Sequence, residues 1–453
     1  MTNLQQKDAQ AALAKGYAEA AAALLPGADA AALEALLSGA RAPSSKSEQY
    51  RYTAMPELWK TVLAPTAEAA NTSDSYPALL AGRTAQLVFT DGHLTAQQGL
   101  PAHITLARSQ TAVQRAGGAL SADTLSAVQP SQDSVRTAAA LPQLIGDLLA
   151  PEQIDVTIAA SDDTYILEVV STAPTSGKSA HPKLAITLEK GAKLLLLQRS
   201  ESTPNGAAEN TGGLSWLNDT LSLTLKPEAA LTHVRFMQAS ADMRTTSRTS
   251  LLAESGAHYC GLSLMSGTGH MRHDIALTLM GDGVHATNNG VLLSAGTTKL
   301  ELNSTLHHST PNGTSDQVIR SVAADQGTAT FQGKIHVAVD AQHTEADQSS
   351  KALLLSRTAT ANARPELEIF ADDVKCSHGA TVGELDKDAL FYLTARGIDP
   401  KSARRLLIEA FAADAFVPVL TALEGQLDGE SLNALSEHFS NTVSQWMDQH
   451  HAA

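Results

Sequence analysis

The sequence predicts a mostly-β chain in which a long strand-rich middle is flanked by helical segments at both ends. Three observations carry that expectation. Short β-type runs follow one another from Ala85 to Val339, beginning with AQLVFTDGHL and ending with QGKIHVAV. Aromatic residues are only 4% of the chain against a hydrophobic share of 43%, so the interior has to be filled with thin layers of Leu, Val, Ile, Ala and Thr. An apolar run, a turn and a second apolar run also recur (TLEKGAKLLLL, TLKPEAALTHV, LLAESGAHYCGLSL, TLMGDGVHATNNGVLL). The turns fall at Gly191, Glu228, Gly256 and Gly283, which are 37, 28 and 27 residues apart. That spacing suits one coil of a β-solenoid better than a βαβ unit. An antiparallel sandwich also accounts for short strands with glycine turns, and the pattern alone prefers the solenoid only slightly.

Three regions follow in order. Residues 1–84 read as an amino-terminal helical region: Ala, Leu and Glu recur at helical spacing, Pro26 and Gly27 break the pattern, and Asp29 stands where it would cap a second helix. The polar stretches Arg41 to Lys46 and Thr66 to Pro77 read as connections. Residues 85–370 form the strand-rich core, with a helical interruption near 133–149. There Val135, Leu141, Leu144, Ile145 and Leu148 recur at near-helical intervals, and Pro142 fits only a first turn or a kink. This helix is expected to pack against the first strands. Residues 371–453 hold one further β-like segment and then a helical tail. Leu390 and Leu393 mark one helix, and Ala403, Leu406, Leu407, Ala410 and Phe411 a second. Gly397 and Pro400 separate them, and more helix is expected up to Trp446. An amphipathic tail of this kind either caps the open end of a solenoid or docks a partner.

Charge and composition narrow the function. The net charge of -15, from 47 acids against 32 bases, repels phosphate backbones and argues against nucleic acid as a partner. Two cysteines, Cys260 and Cys376, are too few for a disulfide framework and fit a reducing, cytoplasmic setting. Lys7, Asp8, Lys15 and Glu19 interrupt the Ala-rich start, so no export signal is expected. No apolar run approaches the roughly 20 residues of a membrane span.

The chemistry-bearing motifs are sparse. Thr172 to Ser179 (TAPTSGKS) ends like a phosphate loop, but Thr172 stands in place of its first glycine and a strand follows instead of a helix. His270 and His273 would point to opposite faces of a strand, as would the adjacent His307 and His308. Cys260 lies in a strand-like run and is expected in the core. Ala371 to Gly383 (ADDVKCSHGATVG) is denser. On an extended strand Cys376 and His378, at i and i+2, project on one face, where a thiolate and an imidazole could meet one iron or zinc ion. Two ligands leave the shell incomplete, and on spacing alone a buried cysteine beside a satisfied histidine in a tight turn is the favoured reading.

That segment resembles the signature of the SufB/SufD family of iron–sulfur cluster assembly proteins, and KCSHGATVG (Lys375 to Gly383) resembles its SufD form. The likeness extends over Thr328 to Ser356 and Ala363 to Ile398, and more weakly over His307 to Gln317. The resemblance implies a right-handed parallel β-helix flanked by helical domains. It further implies a non-catalytic subunit of the SUF scaffold that pairs with a SufB-type subunit through its β-helix end and docks a SufC-type ATPase on its carboxy-terminal helices. By the same resemblance His378 matches a histidine implicated in iron entry and nascent cluster formation at that junction, and Cys376 matches a neighbouring family cysteine. A transient cluster or iron at the partner interface is the implied cargo, a reduced flavin in the complex is left open, and nothing is expected to be held tightly by the isolated chain, for which a homodimer is conceivable. The competing readings are a polysaccharide-active β-solenoid enzyme, a SufB-type scaffold, which would be expected to carry more thiols, and a self-associating structural solenoid.

Overall fold

The computed structural model describes residues 3–24, 29–39, 50–53, 55–66, 76–80, 84–109, 140–174, 176–201 and 213–450. The connections expected at 41–46 and within 67–75, and the start of the helical interruption at 133–139, lie outside them.

The strands are β1 (Thr84–Thr90), β2 (His93–Gln98), β3 (Ile104–Ser109), β4 (Gln153–Ile158), β5 (Tyr165–Thr172), β6 (Ser179–Ala180), β7 (Lys183–Leu188), β8 (Lys193–Glu201), β9 (Ser215–Leu225) and β10 (Ala230–Ala239). They continue as β11 (Met243–Ala253), β12 (His258–Gly267), β13 (His270–Leu279), β14 (His285–Ser294), β15 (Lys299–His308), β16 (Thr314–Ala323), β17 (Thr328–Val337), β18 (Glu345–Leu354), β19 (Thr360–Ile369) and β20 (Lys375–Gly383). From β7 onward the odd strands build one sheet and the even strands another, in the orders β19-β17-β15-β13-β11-β9-β7-β4-β3 and β2-β1-β5-β8-β10-β12-β14-β16-β18-β20. Every neighbouring pair in these coils is parallel. The chain is therefore a parallel β-solenoid flanked by helices, and the antiparallel sandwich is ruled out. Among the described residues antiparallel pairing is confined to β1 with β2 and β3 with β4. The run AQLVFTDGHL is a hairpin, with Asp91 and Gly92 both at positive φ, as its tight turn demands.

The repeated turns explain the spacing. Gly191, Glu228, Gly256 and Gly283, together with Asn312 and His343 further on, all adopt left-handed backbone, with φ between 59° and 72°. At this corner the N–H of Gly191 donates to the carbonyl of Pro227, that of Glu228 to Ser255, that of Gly256 to Asp282 and that of Asn312 to Gln342, each one coil ahead. The interior is aliphatic, as the poverty of aromatics requires. Met271, Leu300 and Ala329 form one inward column and Leu277, Leu306 and Ile335 another, all buried in one continuous core.

Two helical layers dress this core. α1 (Asn3–Leu24), α2 (Ala30–Gly39) and α3 (Ala140–Leu149) share a cluster with Trp216 of β9. Asp29 accepts from the N–H of Ala31, the cap that the sequence suggested, and Pro142 occupies the first turn of α3. The buried face of α3 meets α1, α2 and β9 rather than the first strands, because Trp216 offers the largest fully buried surface at that point. At the other end come α4 (Lys387–Ala395), α5 (Pro400–Ala413), α6 (Val417–Leu423) and α7 (Gly429–Gln449), with Asp386, Asp399 and Asp428 capping α4, α5 and α7. Three of these, α5 to α7, bury Ile408, Val419, Phe439 and Trp446 against Val234, Phe236, Leu264 and Val291 on the outer face of the even sheet. Arg320 pairs with Asp414, and Asn289 donates to the carbonyl of Ala415 at 2.9 Å, pinning the junction between α5 and α6. The tail thus covers a flank and leaves the end of the solenoid open. No single described helix is long and apolar enough to cross a membrane; α5 and α6 together reach that composition but are bent by 56° and lie on the sheet.

Candidate metal site at the open end of the solenoid

β20 is the last strand of the even sheet and β19 the last of the odd sheet, and among the described residues neither has a partner on its far side. Their side chains alternate as the pleat requires. On β20, Lys375 and Ser377 face outward: the Lys375 ammonium lies 2.6 Å from Glu345, and the Ser377 hydroxyl donates to Asp347 on β18. These contacts, with the ladder to β18, fix the strand's register. Cys376 faces inward, half-buried against the main core with Ala346 as its ladder neighbour. A period of two carries His378 to the same inward side, beside the buried Gln348, yet His378 remains exposed because no coil follows.

The two expected ligands therefore share one face at the mouth of the solenoid. Burial pushes the Cys376 thiol above its ordinary range, so a metal ion would have to displace a proton to bind it. Among the described residues no group of three or more His, Cys, Asp or Glu side chains could hold a metal ion. Val382, Ile369 and Phe370 add apolar surface to the rim, 50%, 39% and 57% exposed, beside the Arg364–Glu366 ion pair on β19. Alanines and Pro365 on β19 complete its inward side in register with Phe331 and Gly333.

The other singled-out residues are placed elsewhere. His273 is buried inside, 2.9 Å from the Thr249 hydroxyl and 3.2 Å from that of Ser263, whereas His270 lies on the outside near Arg244 and Glu57. His308 bonds the Ser315 hydroxyl in the interior at 2.9 Å, while His307 stacks on His336 outside, ring centroids 4.2 Å apart. Both pairs diverge, as strand geometry dictates. Cys260 packs against the cluster under the carboxy-terminal helices, where burial raises its thiol to about 12, which makes it inert. In the phosphate-loop look-alike, of which Thr175 lies outside the described residues, Ser179 is buried and donates to the carbonyl of Leu63, and β7 follows. The sequence reading passed over Gln317 and Gln348, the inward neighbours of His378 on the preceding coils. Their signal was the coil repeat itself, which sets the three side chains one coil apart.

Comparison with known proteins gives this architecture its class. The family model "SUF system FeS cluster assembly, SufBD core domain" matches residues 170–411, which takes in the coils from the end of β5, the signature strand and α5 up to Phe411. The chain belongs to the SufB/SufD family, on its SufD-type side. It is 30% identical over 248 residues to an iron–sulfur cluster assembly SufBD family protein of Synechocystis, covering 54% of this chain and 55% of that one. It is 30% identical over 236 residues to the iron–sulfur cluster assembly protein SufD of Escherichia coli, 52% of this chain and 54% of that one. With the Bacillus subtilis SufD it shares 32% identity over 135 residues, 30% of this chain and 31% of the other. The chain spans about half the length of the first two relatives.

Proposed function

We propose that this chain is a non-catalytic subunit of an iron–sulfur cluster assembly scaffold, and that its open end is where a SufB-type subunit pairs and iron enters. The observation that carries this reading is the unpaired parallel end: two edge strands, exposed apolar side chains at the rim and an inward imidazole beside a thiol, all at one mouth. Exposed strand edges recruit another strand, and a second solenoid presenting its own last coil would continue both sheets. His378 then lies at the junction of two polypeptides, and the partner's thiolate and sulfide complete a coordination shell that this chain leaves at two ligands. Iron or a nascent cluster is the cargo passed there, not a resident cofactor. The name of the matching family supports the assembly role, and the relatives called SufD support the subunit type. In the reconstituted complex, His378→Ala should leave the subunits assembled and cut cluster formation sharply; an unchanged cluster yield counts against the role.

Docking of a SufC-type ATPase is supported by a second surface. α4 buries none of its residues, and Phe391, Tyr392, Leu406 and Val417 expose 74%, 55%, 47% and 54% of their surface along the carboxy-terminal helices. Removing Leu406 to Ala453 would strip the cover from Val234, Phe236 and Leu264 as well. The cleaner test is therefore Phe391→Asp with Leu406→Asp, expected to abolish co-purification with the ATPase without loss of fold. Retained binding refutes the assignment.

A further inference from the structure

Six inward rungs of the even sheet line up along the solenoid axis: His233, Gly261, Asn288, Gln317, Gln348 and His378. The early members are satisfied. His233 bonds Gln198 at 2.7 Å, and Asn288 donates to the Ser304 hydroxyl at 3.0 Å. The two before His378 are not. Gln317 and Gln348 are 1% and 2% exposed, and neither the amide nitrogen nor the amide oxygen of either has a hydrogen-bond partner among the described residues. Two adjacent buried amides with all four polar atoms idle bear the full cost of lost hydration, and such groups in a native interior call for an explanation. Room has even been made for one of them. A Cβ built on Gly333, on the facing sheet, would stand 2.3 Å from the Gln348 nitrogen, so any side chain there would displace the amide.

We infer that Gln348, backed by Gln317, is the positioning residue for the His378 imidazole. This rests on the reading of His378 as an iron ligand. A metal-bound histidine presents one ring nitrogen to the ion, and the other donates to an acceptor that fixes tautomer and ring orientation. Gln348 is the ladder partner of His378, on the same inward face, with a free amide oxygen. Gln317, the ladder partner of Gln348 one coil deeper, sets its own unpartnered amide behind it. The pair thus holds the ring with one nitrogen turned inward and the other toward the mouth, where the second subunit and the cargo meet it. An apolar pair would spare this interior the lost hydration of two amides, and the role toward the ring accounts for their presence.

The test compares Gln348→Met, nearly isosteric and apolar, with Gln348→Glu, which keeps an acceptor. The full-length chain is labelled with 15N-histidine, and the His378 signals are assigned by their loss in His378→Gln. The wild type is expected to hold one neutral tautomer at pH 8.5, Gln348→Met to relax to a mixture, and Gln348→Glu to restore the single form. In the complex with the SufB-type subunit, cobalt(II) as probe should bind about 10- to 100-fold more weakly in Gln348→Met and recover in Gln348→Glu. The Tm of Gln348→Met should rise, since an unpaired buried amide has been removed. An unchanged tautomer ratio in Gln348→Met overturns the inference. If the tautomer follows Gln348 but cobalt binding ignores His378→Ala, the positioning stands and the metal reading of His378 falls.

Discussion

The two ends of the solenoid are built on opposite plans. At the amino-terminal end the chain turns back on itself: β2 and β3 run antiparallel to β1 and β4, and Leu94 and Ile104 plug the core. Glu152 clips the two sheets together there, accepting from the N–H of Leu94 at 3.1 Å and from Arg108, whose guanidinium also donates to the carbonyl of Leu94. At the carboxy-terminal end neither sheet reverses. β19 and β20 stop in parallel with their far edges free, and the contacts that hold β20, Lys375 to Glu345 and Ser377 to Asp347, all point backward into the molecule. One end spends its polar groups on closure. The other leaves its two last strands without a further neighbour among the described residues, an edge open to the strand addition proposed above.

Acid should separate the regions most strongly. Burial holds His181 and His233 down at about 3 and His273 well below its ordinary range, so the folded chain keeps them neutral. Unfolded, each would take up a proton near pH 6.5. The unfolded state then binds more protons between roughly pH 6.5 and pH 3, and stability falls as pH drops through that window, by up to ~1.4 kcal/mol per unit per histidine. Amide exchange at pH 5 should open the coils around β7 to β13 before β16 to β20, and His233→Gln should lessen the effect.

Next in size is strand addition. Val382→Lys on the open rim should weaken pairing with the SufB-type subunit by ~2 kcal/mol or more, about 30-fold, whereas Gln97→Lys on exposed β2 should change nothing in a titration by light scattering. Equal effects would erase the distinction between the ends. In thermal unfolding, Glu152→Ala should cost about 1–3 kcal/mol, because it strands the buried N–H of Leu94. Its counterpart Lys375→Ala removes an exposed ion pair that solvent screens and should leave the unfolding midpoint unchanged. The smallest contrast lies in the turns. Gly256→Ala should lose about 1 kcal/mol at its left-handed φ, and His343→Gly, at the same corner near the open end, should gain a few tenths to about 1 kcal/mol.

Much of this architecture was legible because coil geometry writes itself into spacing. Gly191, Glu228, Gly256 and Gly283 were readable as turns since each coil needs one residue in left-handed backbone, and glycine marks three of these four corners, well enough for the fourth to be inferred. Asn312 and His343 escaped notice: the Asn-Gly pair at 312 and 313 is a turn signal that was passed over, whereas a histidine gives none. The divergence of His270 from His273 and of His307 from His308 followed from strand alternation alone. What spacing could not tell was where the helical tail lies, because an amphipathic stripe reports that a face is covered and not by what; Asn289 and Arg320 settle it through Ala415 and Asp414, some 100 residues away. The same limit hid Gln317 and Gln348, polar residues whose inward aim depends on register and not on composition. The shared face of Cys376 and His378 followed from their i, i+2 spacing, yet their place on the last rung belongs to the fold.

A clip at one extremity and a bare edge at the other also sets a number. A rod with two sticky faces adds units without limit and becomes a fibre, whereas a rod that is blunt at one tip can join only once. Under the pairing proposed above, each chain offers the edge of β19 and β20 once, so a union made there terminates at a pair instead of growing into a fibre.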